Sequence, residues 1–518
     1  MTAADRHTSS GGPGTPEFPL GFGWALAICA AITMTRLAAL FIQPLDLHPD
    51  EAQYWSWSRD LAWGYFSKPP MIGWLIAGAT ALCGAGEGCI KAPVPLLHFV
   101  TALLVYGIGR RLCGTAVGFF AALAFITLPG VSFSATIAST DPPLMMFWAL
   151  SLYAFVRLWQ GGSGGWWLVL GVAAGLGLMS KYAMAFFAVG LVLLVAFDPE
   201  ARRRLAVPGG GVKGLAAAAL IAFAIYLPNL LWNMSTGFVT YEHTGANANL
   251  GGNLLNPAAF LEFFASQFGV FGPILFAGLI WSAVRVRAWA RDPALRLLAA
   301  FALPMLLVIL ALSFLSRANA NWAAPSYIAA TVWVTAVLLA DGRRLLAGAS
   351  LALHSLVAAL VVIGMLVHSA PGVYAGMRVP TWLDIYKNYD GWRELGAGIT
   401  KLRAQYPSVP IVSEERKLIA AMLYYVHPWP DDVYAWFANP RITDHFKLTR
   451  PFTATQGADA LIVSSYGDAP YVQARFRSAE PVAAFRMPIG SGEGATVRVF
   501  YARDFLGYNA SRPTESLE

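Results

Sequence analysis

Long apolar stretches separated by short polar segments dominate the first 370 residues of this chain. Eleven of these stretches reach or approach the roughly 20 residues that an α-helix needs to cross a bilayer core. A further apolar stretch at 70–83 is shorter, which is typical of a re-entrant or interfacial helix. The pattern predicts a mostly α, polytopic membrane protein with spans near 21–43, 92–109, 115–130, 142–157, 165–180, 182–198, 214–232, 262–284, 297–315, 323–340 and 346–369.

Beyond residue 370 the pattern changes to shorter periodic segments. Apolar residues recur at helical spacing from Trp392 to Leu402, and β-like runs follow at 411–412, 460–463 and 497–501. We therefore predict a small α/β domain over 371–518, which is long enough to have its own core. The chain divides on this basis into a disordered tail rich in Gly, Ser, Thr and Pro, a membrane domain and the α/β domain, with bounds 1–20, 21–370 and 371–518.

The composition supports this class. Of the 518 residues, 57% are hydrophobic and 13% are charged, whereas a soluble domain has roughly a quarter of its residues charged. The 18 Trp and 19 Tyr residues suit a protein with many membrane–water boundaries. The net charge of +7 is then better explained by basic cytoplasmic loops than by nucleic-acid binding.

The distribution of basic residues predicts the orientation of the spans. If the N-terminus is cytoplasmic, thirteen basic residues fall in inside loops and only five in outside loops up to residue 370. Eleven spans then place the α/β domain outside. The outside five are Arg59, Lys68, Lys91, Lys181 and Arg317.

Five predicted outside loops contain most of the polar residues that suit a reaction site. Asp50 and Glu51 stand in the segment HPDEAQYW, soon after the first span. Ionisable residues at membrane depth are costly and are usually functional, which favours a site on this face. The other candidates are Tyr54, Lys68, Asp141, Lys181, Tyr182, His243, Arg317 and Asn321.

Structural interpretations of the same residues stay open. Asp50 is also suited to cap a helix at 51–60, and Asp141 before two prolines is suited to cap another. Lys181 is also explained as an interfacial anchor. Cys83 and Cys89 fall in one outside loop, where either a disulfide or two unpaired thiols fit the pattern.

The chain contains no P-loop, CxxC or HExxH motif. The glycines at 209–211 are not followed by a Lys-Ser or Lys-Thr pair, so they do not form a nucleotide cradle. An enzyme that works outside the cytoplasm also lacks access to nucleotide sugars. An activated donor for such an enzyme must therefore arrive attached to a lipid.

Several segments resemble one known family. HPDEAQYWSWSRDLAWGYFSKPPMIGWLI is similar to the first-loop motif of the bacterial PMT-like glycosyltransferases with the GT-C fold. This group includes lipid A aminoarabinose transferases and rhizobial galacturonosyltransferases. The resemblance covers about 25–340 and includes, in the same order, ASTDPPLMMFWALSLY, GLGLMSKYAMAFF, LLWNMSTGFVTYEH and SRANANWAAPSYIA.

The resemblance implies a GT-C bundle of 11–13 helices with a periplasmic α/β domain, in the bacterial inner membrane. It implies transfer of a sugar, with inversion, from a polyprenyl-phosphate donor to lipid A, lipopolysaccharide core, another glycolipid or a protein. Asp50 matches the general base or acceptor-orienting acid, Glu51 a supporting residue or metal contact, and Asp141 the second-loop acid. Lys181 is assigned to the lipid phosphate, and a divalent cation at Glu51 or His243 is an option.

The remaining candidates are expected to bind the donor or the acceptor: Tyr54, Lys68, Tyr182, His243, Arg317 and Asn321. The alternative function is a transporter or flippase of lipid-linked sugars. That alternative requires ionisable groups near the bilayer midplane and repeated halves. The sequence instead places its acids at one rim and contains no evident internal repeat.

Overall fold

A computed structural model describes residues 20–205, 211–249, 254–380, 383–439, 441–487 and 495–509 of the chain. The predicted tail lies, apart from Leu20, outside these residues. Residues 22–367 are almost entirely helical. Their helices are α1 Phe22–Ile42, α2 Pro49–Arg59, α3 Met71–Cys83, α4 Glu87–Lys91, α5 Pro93–Cys113, α6 Thr115–Thr127, α7 Pro129–Ser134, α8 Asp141–Trp159, α9 Gly165–Ser180, α10 Ala185–Phe197, α11 Pro199–Leu205, α12 Gly211–Ser235, α13 Val239–Ala248, α14 Pro257–Val270, α15 Pro273–Val284, α16 Val286–Trp289, α17 Pro293–Leu315, α18 Ser326–Ala340 and α19 Arg344–Val367.

All eleven predicted apolar runs coincide with helices. Within the described ranges, five helices are individually long and apolar enough to cross a membrane: Phe22–Ile42, Glu87–Cys113, Gly211–Ser235, Pro293–Leu315 and Arg344–Val367. Several other runs form shorter apolar helices. The run at 70–83, expected to be a re-entrant or interfacial element, forms the 13-residue helix α3. The chain is therefore a multi-pass membrane protein.

The run at 262–284, expected to form one span, is divided between two helices. It contains parts of α14 and α15, whose axes are bent by 115°. The break lies at Gly272, which adopts a φ of 85°, and Pro273 begins the next helix. A proline cannot continue the hydrogen bonding of the preceding helix, and Gly272 packs so closely on His354 that a Cβ atom would clash.

The C-terminal part is an α/β fold. Its elements are β1 His368–Ala370, β2 Val373–Tyr374, β3 Met377–Arg378, α20 Trp392–Arg403, β4 Ile411–Ser413, α21 Arg416–Tyr425, β5 Val433–Ala435, α22 His445–Thr449, β6 Ala460–Ser464, α23 Pro470–Gln473, β7 Phe476–Met487 and β8 Ala495–Phe505. The predicted helix and all three β-like runs are present. The main sheet has the strand order β5-β4-β6-β8-β7, in which β4 pairs in parallel with β5 and β6, and β8 runs antiparallel to β6 and β7.

The C-terminal fold docks on the first loop of the membrane region through α21. The ring of Tyr424 meets Trp55 of α2 edge to face, with centroids 4.9 Å apart. The hydroxyl group of Tyr425 accepts a hydrogen bond from the Leu47 backbone N–H at 2.6 Å. These contacts fix α21 against α2, the helix that contains Asp50 and Glu51.

A second set of contacts ties the same loop to α20. The Asp46 carboxylate accepts hydrogen bonds from the backbone N–H groups of Trp392 and Arg393 at the start of that helix. The Arg393 guanidinium also bonds Glu87 with two nitrogen–oxygen distances of 2.8 and 2.9 Å. Helix N-termini favour carboxylates, so the loop and α20 stabilise each other.

The sequence left open whether the two cysteines of this loop form a disulfide or remain unpaired. Cys83, at the end of α3, and Cys89, in α4, form a disulfide. The bridge closes the Gly-rich turn that precedes Glu87. The hydroxyl group of Tyr424 donates to Ala85 O within that turn, which brings the turn to the docking surface as well.

Candidate active site

A cavity of about 1120 Å³ lies between the membrane helices and the C-terminal fold. One side is apolar, formed by Phe186, Met305, Ile309 and Leu312. The other sides are polar and contain both signs of charge. The charged and histidine side chains that line the cavity are Asp50, Lys68, Asp141, Lys181, His243, Glu414, Glu415, Arg416, Lys417, Asp444 and Lys447.

Asp50 enters the cavity from the first turn of α2. The helix is capped by His48, whose Nδ1 accepts from the Asp50 N–H, while the Glu51 carboxylate accepts from the His48 N–H. The interpretation of Asp50 as the helix cap is therefore wrong. Residues three and four apart share a helix face, and accordingly Asp50, Gln53 and Tyr54 all line the cavity.

The Asp50 carboxylate is held in its ionised form. Its Oδ1 lies 2.7 Å from Arg416 Nη1, and its Oδ2 lies 3.8 Å from His48 Nδ1. Burial raises the pKa of Asp50, but the charges of Arg416, His48 and Lys68 outweigh it and hold that pKa below its ordinary value. The side chain is 44% exposed, so an acceptor can reach it.

Glu51, expected to be catalytic, points away from the cavity. Its side chain is completely buried, where it accepts from the Ala138 N–H at 2.6 Å and from the His48 N–H at 2.9 Å. Its Oε2 also lies 3.4 Å from Lys91 Nζ. This placement corrects the expectation, because the carboxylate is fully engaged in holding the first loop and does not reach the site.

Asp141 and Lys181 form the second charged pair of the cavity. Lys181 Nζ donates to Asp141 Oδ1 at 2.6 Å, and Asn321 Nδ2 donates to Asp141 Oδ2 at 2.6 Å. Asp141 begins α8 and Lys181 follows the end of α9, so the helical hairpin brings them to the same end. The Asp141 side chain bonds these partners and not the N–H groups of its own helix, so the cap interpretation is wrong here too.

Lys68 enters the cavity from a tight turn. Its backbone pairs with that of Tyr65, and Pro69 and Pro70 follow. Burial lowers the pKa of Lys68, and the nearby charge of Lys181 lowers it further. In the part of the chain that the structure describes, its ammonium group has no hydrogen-bond or ion-pair partner, which leaves it free for an anionic ligand.

Tyr182 and His243, which were predicted to bind the donor or the acceptor, also line the cavity. Tyr182 donates from its hydroxyl group to Asn229 Oδ1 at 3.0 Å and stacks on Tyr241 with centroids 4.9 Å apart. The His243 ring packs against Phe66 at a centroid distance of 5.1 Å. Burial lowers the pKa of His243, assisted by Lys68 and Arg416, so its ring is held neutral.

Two expectations do not fit the geometry. Arg317 is exposed and does not line the cavity, although Asn319 and Asn321 after it do. Among the described residues, no three His, Cys, Asp or Glu side chains are grouped closely enough to hold a metal ion. Of the two residues considered for a divalent cation, Glu51 is not available, because its oxygens are already occupied by Lys91 and two N–H groups.

The C-terminal fold contributes residues to the cavity that were not predicted from the sequence. Glu414, Glu415, Arg416 and Lys417 line the cavity at the start of α21, and Lys447 joins them from α22. Four consecutive charged residues directly after a buried strand were a usable signal. This signal was not used, because every predicted site residue was assigned to the membrane region.

These features define a class. A bundle of membrane helices with a charged cavity beneath a small α/β fold is the architecture of the GT-C membrane glycosyltransferases. A family model described as dolichyl-phosphate-mannose-protein mannosyltransferase matches residues 67–232. The crystal structure of ArnT from Cupriavidus metallidurans in the apo state has the same fold, with a TM-score of 0.62 at 17% identity, covering 92% of this chain and 98% of that chain.

Sequence relatives identify the family. The lipid A galacturonosyltransferase RgtD of Rhizobium johnstonii is 32% identical over 414 residues, which cover 79% of this chain and 84% of RgtD. The undecaprenyl phosphate-alpha-4-amino-4-deoxy-L-arabinose arabinosyl transferase 1 of Pseudomonas fluorescens is 28% identical over 229 residues, 40% of each protein. The chain therefore belongs to the family of bacterial PMT-like glycosyltransferases that includes RgtD.

Proposed function

We propose that this glycosyltransferase transfers a sugar from a polyprenyl-phosphate donor to lipid A or lipopolysaccharide core at the periplasmic face of the inner membrane. The observation that carries the proposal is the cavity in which Asp50, Asp141, Lys68 and Lys181 converge beside an apolar side. The names of RgtD and of the arabinosyl transferase support the glycolipid acceptor and the lipid-phosphate donor. Transferases, not transporters, are the relatives described above.

The donor is assigned to the membrane side of the cavity. Its phosphate lies against Lys68 and Lys181, and its prenyl chain follows the apolar side at Met305 and Ile309. Lys68 supplies an unpaired ammonium group, while Lys181 is held in place by Asp141, whose other oxygen accepts from Asn321. Cations placed where charge develops stabilise a leaving phosphate effectively in a site that is partly shielded from water.

Asp50 is assigned as the general base. An acceptor hydroxyl oxygen attacks the anomeric carbon while its proton passes to Asp50. The bond from that carbon to the phosphate oxygen breaks with inversion, and the phosphate leaves with the bonding electrons. The lowered pKa of Asp50 keeps it ready to accept the proton at neutral pH. A general base of this kind contributes typically about 10² to 10⁴-fold to the rate.

The acceptor head group is assigned to the side formed by the C-terminal fold. Glu414 Oε1 is buried there and has no hydrogen-bond partner among the described residues. Thr443, Ser465 and Tyr466 line the same side. A buried acceptor atom without a donor is costly, and a hydroxyl group of a saccharide head group satisfies it. This supports a sugar-containing acceptor.

The test compares Asp50→Asn with the matched control Asp60→Asn. Both variants remove one carboxylate from the first outside loop, but Asp60 is exposed and does not line the cavity. A strain that lacks the chromosomal copy receives each variant, and the masses of its lipid A and core are measured. We expect Asp50→Asn to lose the added sugar and Asp60→Asn to retain it. Sugar transfer at the wild-type level by Asp50→Asn refutes the assignment of the base.

A further inference from the structure

Arg416 connects the C-terminal fold to the presumed reaction centre. It is the first residue of α21, and 366 residues separate it from Asp50. Its Nη1 lies 2.7 Å from Asp50 Oδ1 and 2.5 Å from Gln53 Oε1. One guanidinium nitrogen therefore bonds two cavity-lining residues that stand one turn apart on α2.

Stability does not explain this contact. The Arg416 and Asp50 side chains are 33% and 44% exposed, and ion pairs with such solvent access contribute little to folding. An arginine at the start of α21 is also at the helix end where a positive charge is unfavourable. The docking of α21 on α2 is already provided by Tyr424 and Tyr425. The position of Arg416 thus calls for a functional explanation.

The geometry divides the two oxygens of Asp50 between two tasks. Oδ1 accepts from Arg416, whereas Oδ2 accepts no hydrogen bond from the residues that the structure describes; His48 Nδ1 lies 3.8 Å from it, which is too long for a hydrogen bond. The guanidinium prevents rotation of the carboxylate, because rotation would break the bond to Oδ1. Oδ2 is then the atom that remains available to an acceptor hydroxyl group.

We propose that Arg416 is a positioning residue for sugar transfer, which orients Asp50 so that its Oδ2 faces the acceptor. The C-terminal fold is then an integral part of the reaction centre and not a separate module. This inference rests on the proposed role of Asp50 as general base. Arg416 itself does not touch the reacting atoms; it acts through Asp50 and Gln53.

Arg416 also affects the pH dependence of the reaction, because its charge lowers the pKa of Asp50 more than any other nearby charge does. Removing it therefore raises that pKa, so that the base is lost at a higher pH. The other titratable groups that interact with Asp50 are His48, Tyr54, Lys68 and Tyr389. Glu51, Asp141 and Lys417 act in turn on members of this set.

The experiment uses purified full-length protein in detergent with two variants, Arg416→Gln and Arg416→Lys. A lipid extract of the wild-type strain supplies the donor, and lipid A from the deletion strain is the acceptor. The matched control is Arg59→Gln. Arg59 also joins α2 to the C-terminal fold, through Asp431 at 3.4 Å and the rings of Trp55 and Trp429, but it does not line the cavity.

We expect Arg416→Gln to lower kcat by about 10- to 100-fold, the effect of a misplaced reacting group, with an unchanged KM for the donor. The acidic limb of its kcat/KM profile should move up by about 1 pH unit or more. Arg416→Lys should recover part of both effects, because it keeps the charge but loses the planar fork. Arg59→Gln should behave like the wild type.

An unchanged rate and pH profile for a folded Arg416→Gln protein overturns the inference, as does an equal loss in Arg59→Gln, which would indicate domain docking alone. If Arg416→Gln does not fold, Arg416→Lys decides: a wild-type acidic limb and kcat in that variant also overturn the inference.

The Asp50→Asn variant separates the two proposals. If Asp50→Asn is fully active, the general-base assignment fails; if it is inactive while Arg416→Gln is normal, only the role of Arg416 fails.

Discussion

Glu51 and Lys91 form a fully buried ion pair, and we expect its disruption to unfold the first loop rather than to remove a reacting group. The two side chains are 0% and 1% exposed, and Glu51 Oε2 lies 3.4 Å from Lys91 Nζ. Glu51 also accepts hydrogen bonds from His48 at the start of α2 and from Ala138 before α8. Lys91→Met leaves the carboxylate in place without a counter-charge.

The magnitude follows from the geometry. At the separation of 3.4 Å, an effective dielectric constant of about 20 corresponds to a Coulomb attraction of about 5 kcal/mol. Removing one partner of a buried pair is typically observed to cost about 3–5 kcal/mol. We therefore expect Lys91→Met to lower the free energy of unfolding by about 3–5 kcal/mol. The double variant Glu51→Gln with Lys91→Met should regain part of this loss, since it removes the unpaired charge.

The assay is thermal unfolding of the purified protein, followed by intrinsic tryptophan fluorescence, with sugar transfer measured well below the melting temperature. Lys91→Met and Glu51→Gln should each lower the melting temperature, and the protein that stays folded should retain transfer. The double variant should be more stable than Lys91→Met alone. If Glu51→Gln melts like the wild type but has lost transfer, Glu51 takes part in the reaction and the structural explanation is refuted.

Three further outcomes are expected. Lys181→Met should abolish most sugar transfer, because it removes the cation beside Asp141 that is assigned to the donor phosphate; normal donor KM and kcat would contradict this. Arg317→Gln should leave transfer unchanged, since Arg317 is exposed and outside the cavity; a large loss would show that it reaches the substrate. Cys83→Ser with Cys89→Ser should lower stability by about 2 kcal/mol, the chain entropy of a loop of this length, in a denaturation series under oxidising conditions; identical transition midpoints would contradict it.

The membrane helices could be predicted because their signal is local. An apolar run that enters lipid must satisfy its backbone within its own helix, so hydropathy alone places the long apolar helices of the membrane region. Hydropathy does not show where such a run bends, and it therefore did not predict the division of 262–284 into α14 and α15. The Gly272-Pro273 pair at that break is visible in the sequence and marks the bend of 115°.

Long-range contacts account for what the sequence could not show. Asp141 and Lys181 could both be selected because each falls in a predicted outside loop, and the hairpin of α8 and α9 then brings the two loops together. Arg416 was not selected, because its approach to Asp50 depends on the docking of α21 on α2. The pattern of apolar residues in α2 and α21 does not predict that these two helices pack together. The charged run at 414–417 indicates only that this stretch is unusually polar.

The opposite placements of Asp50 and Glu51 follow from helix geometry. Successive residues of an α-helix are rotated by about 100°, so the adjacent carboxylates of Asp50 and Glu51 in α2 point in different directions. Asp50, Gln53 and Tyr54 form the face that lines the cavity, while Glu51 and Trp55 form the face toward the buried loop and the C-terminal fold. The two acids of α2 therefore have different surroundings. The burial of Glu51 identifies it as the structural one.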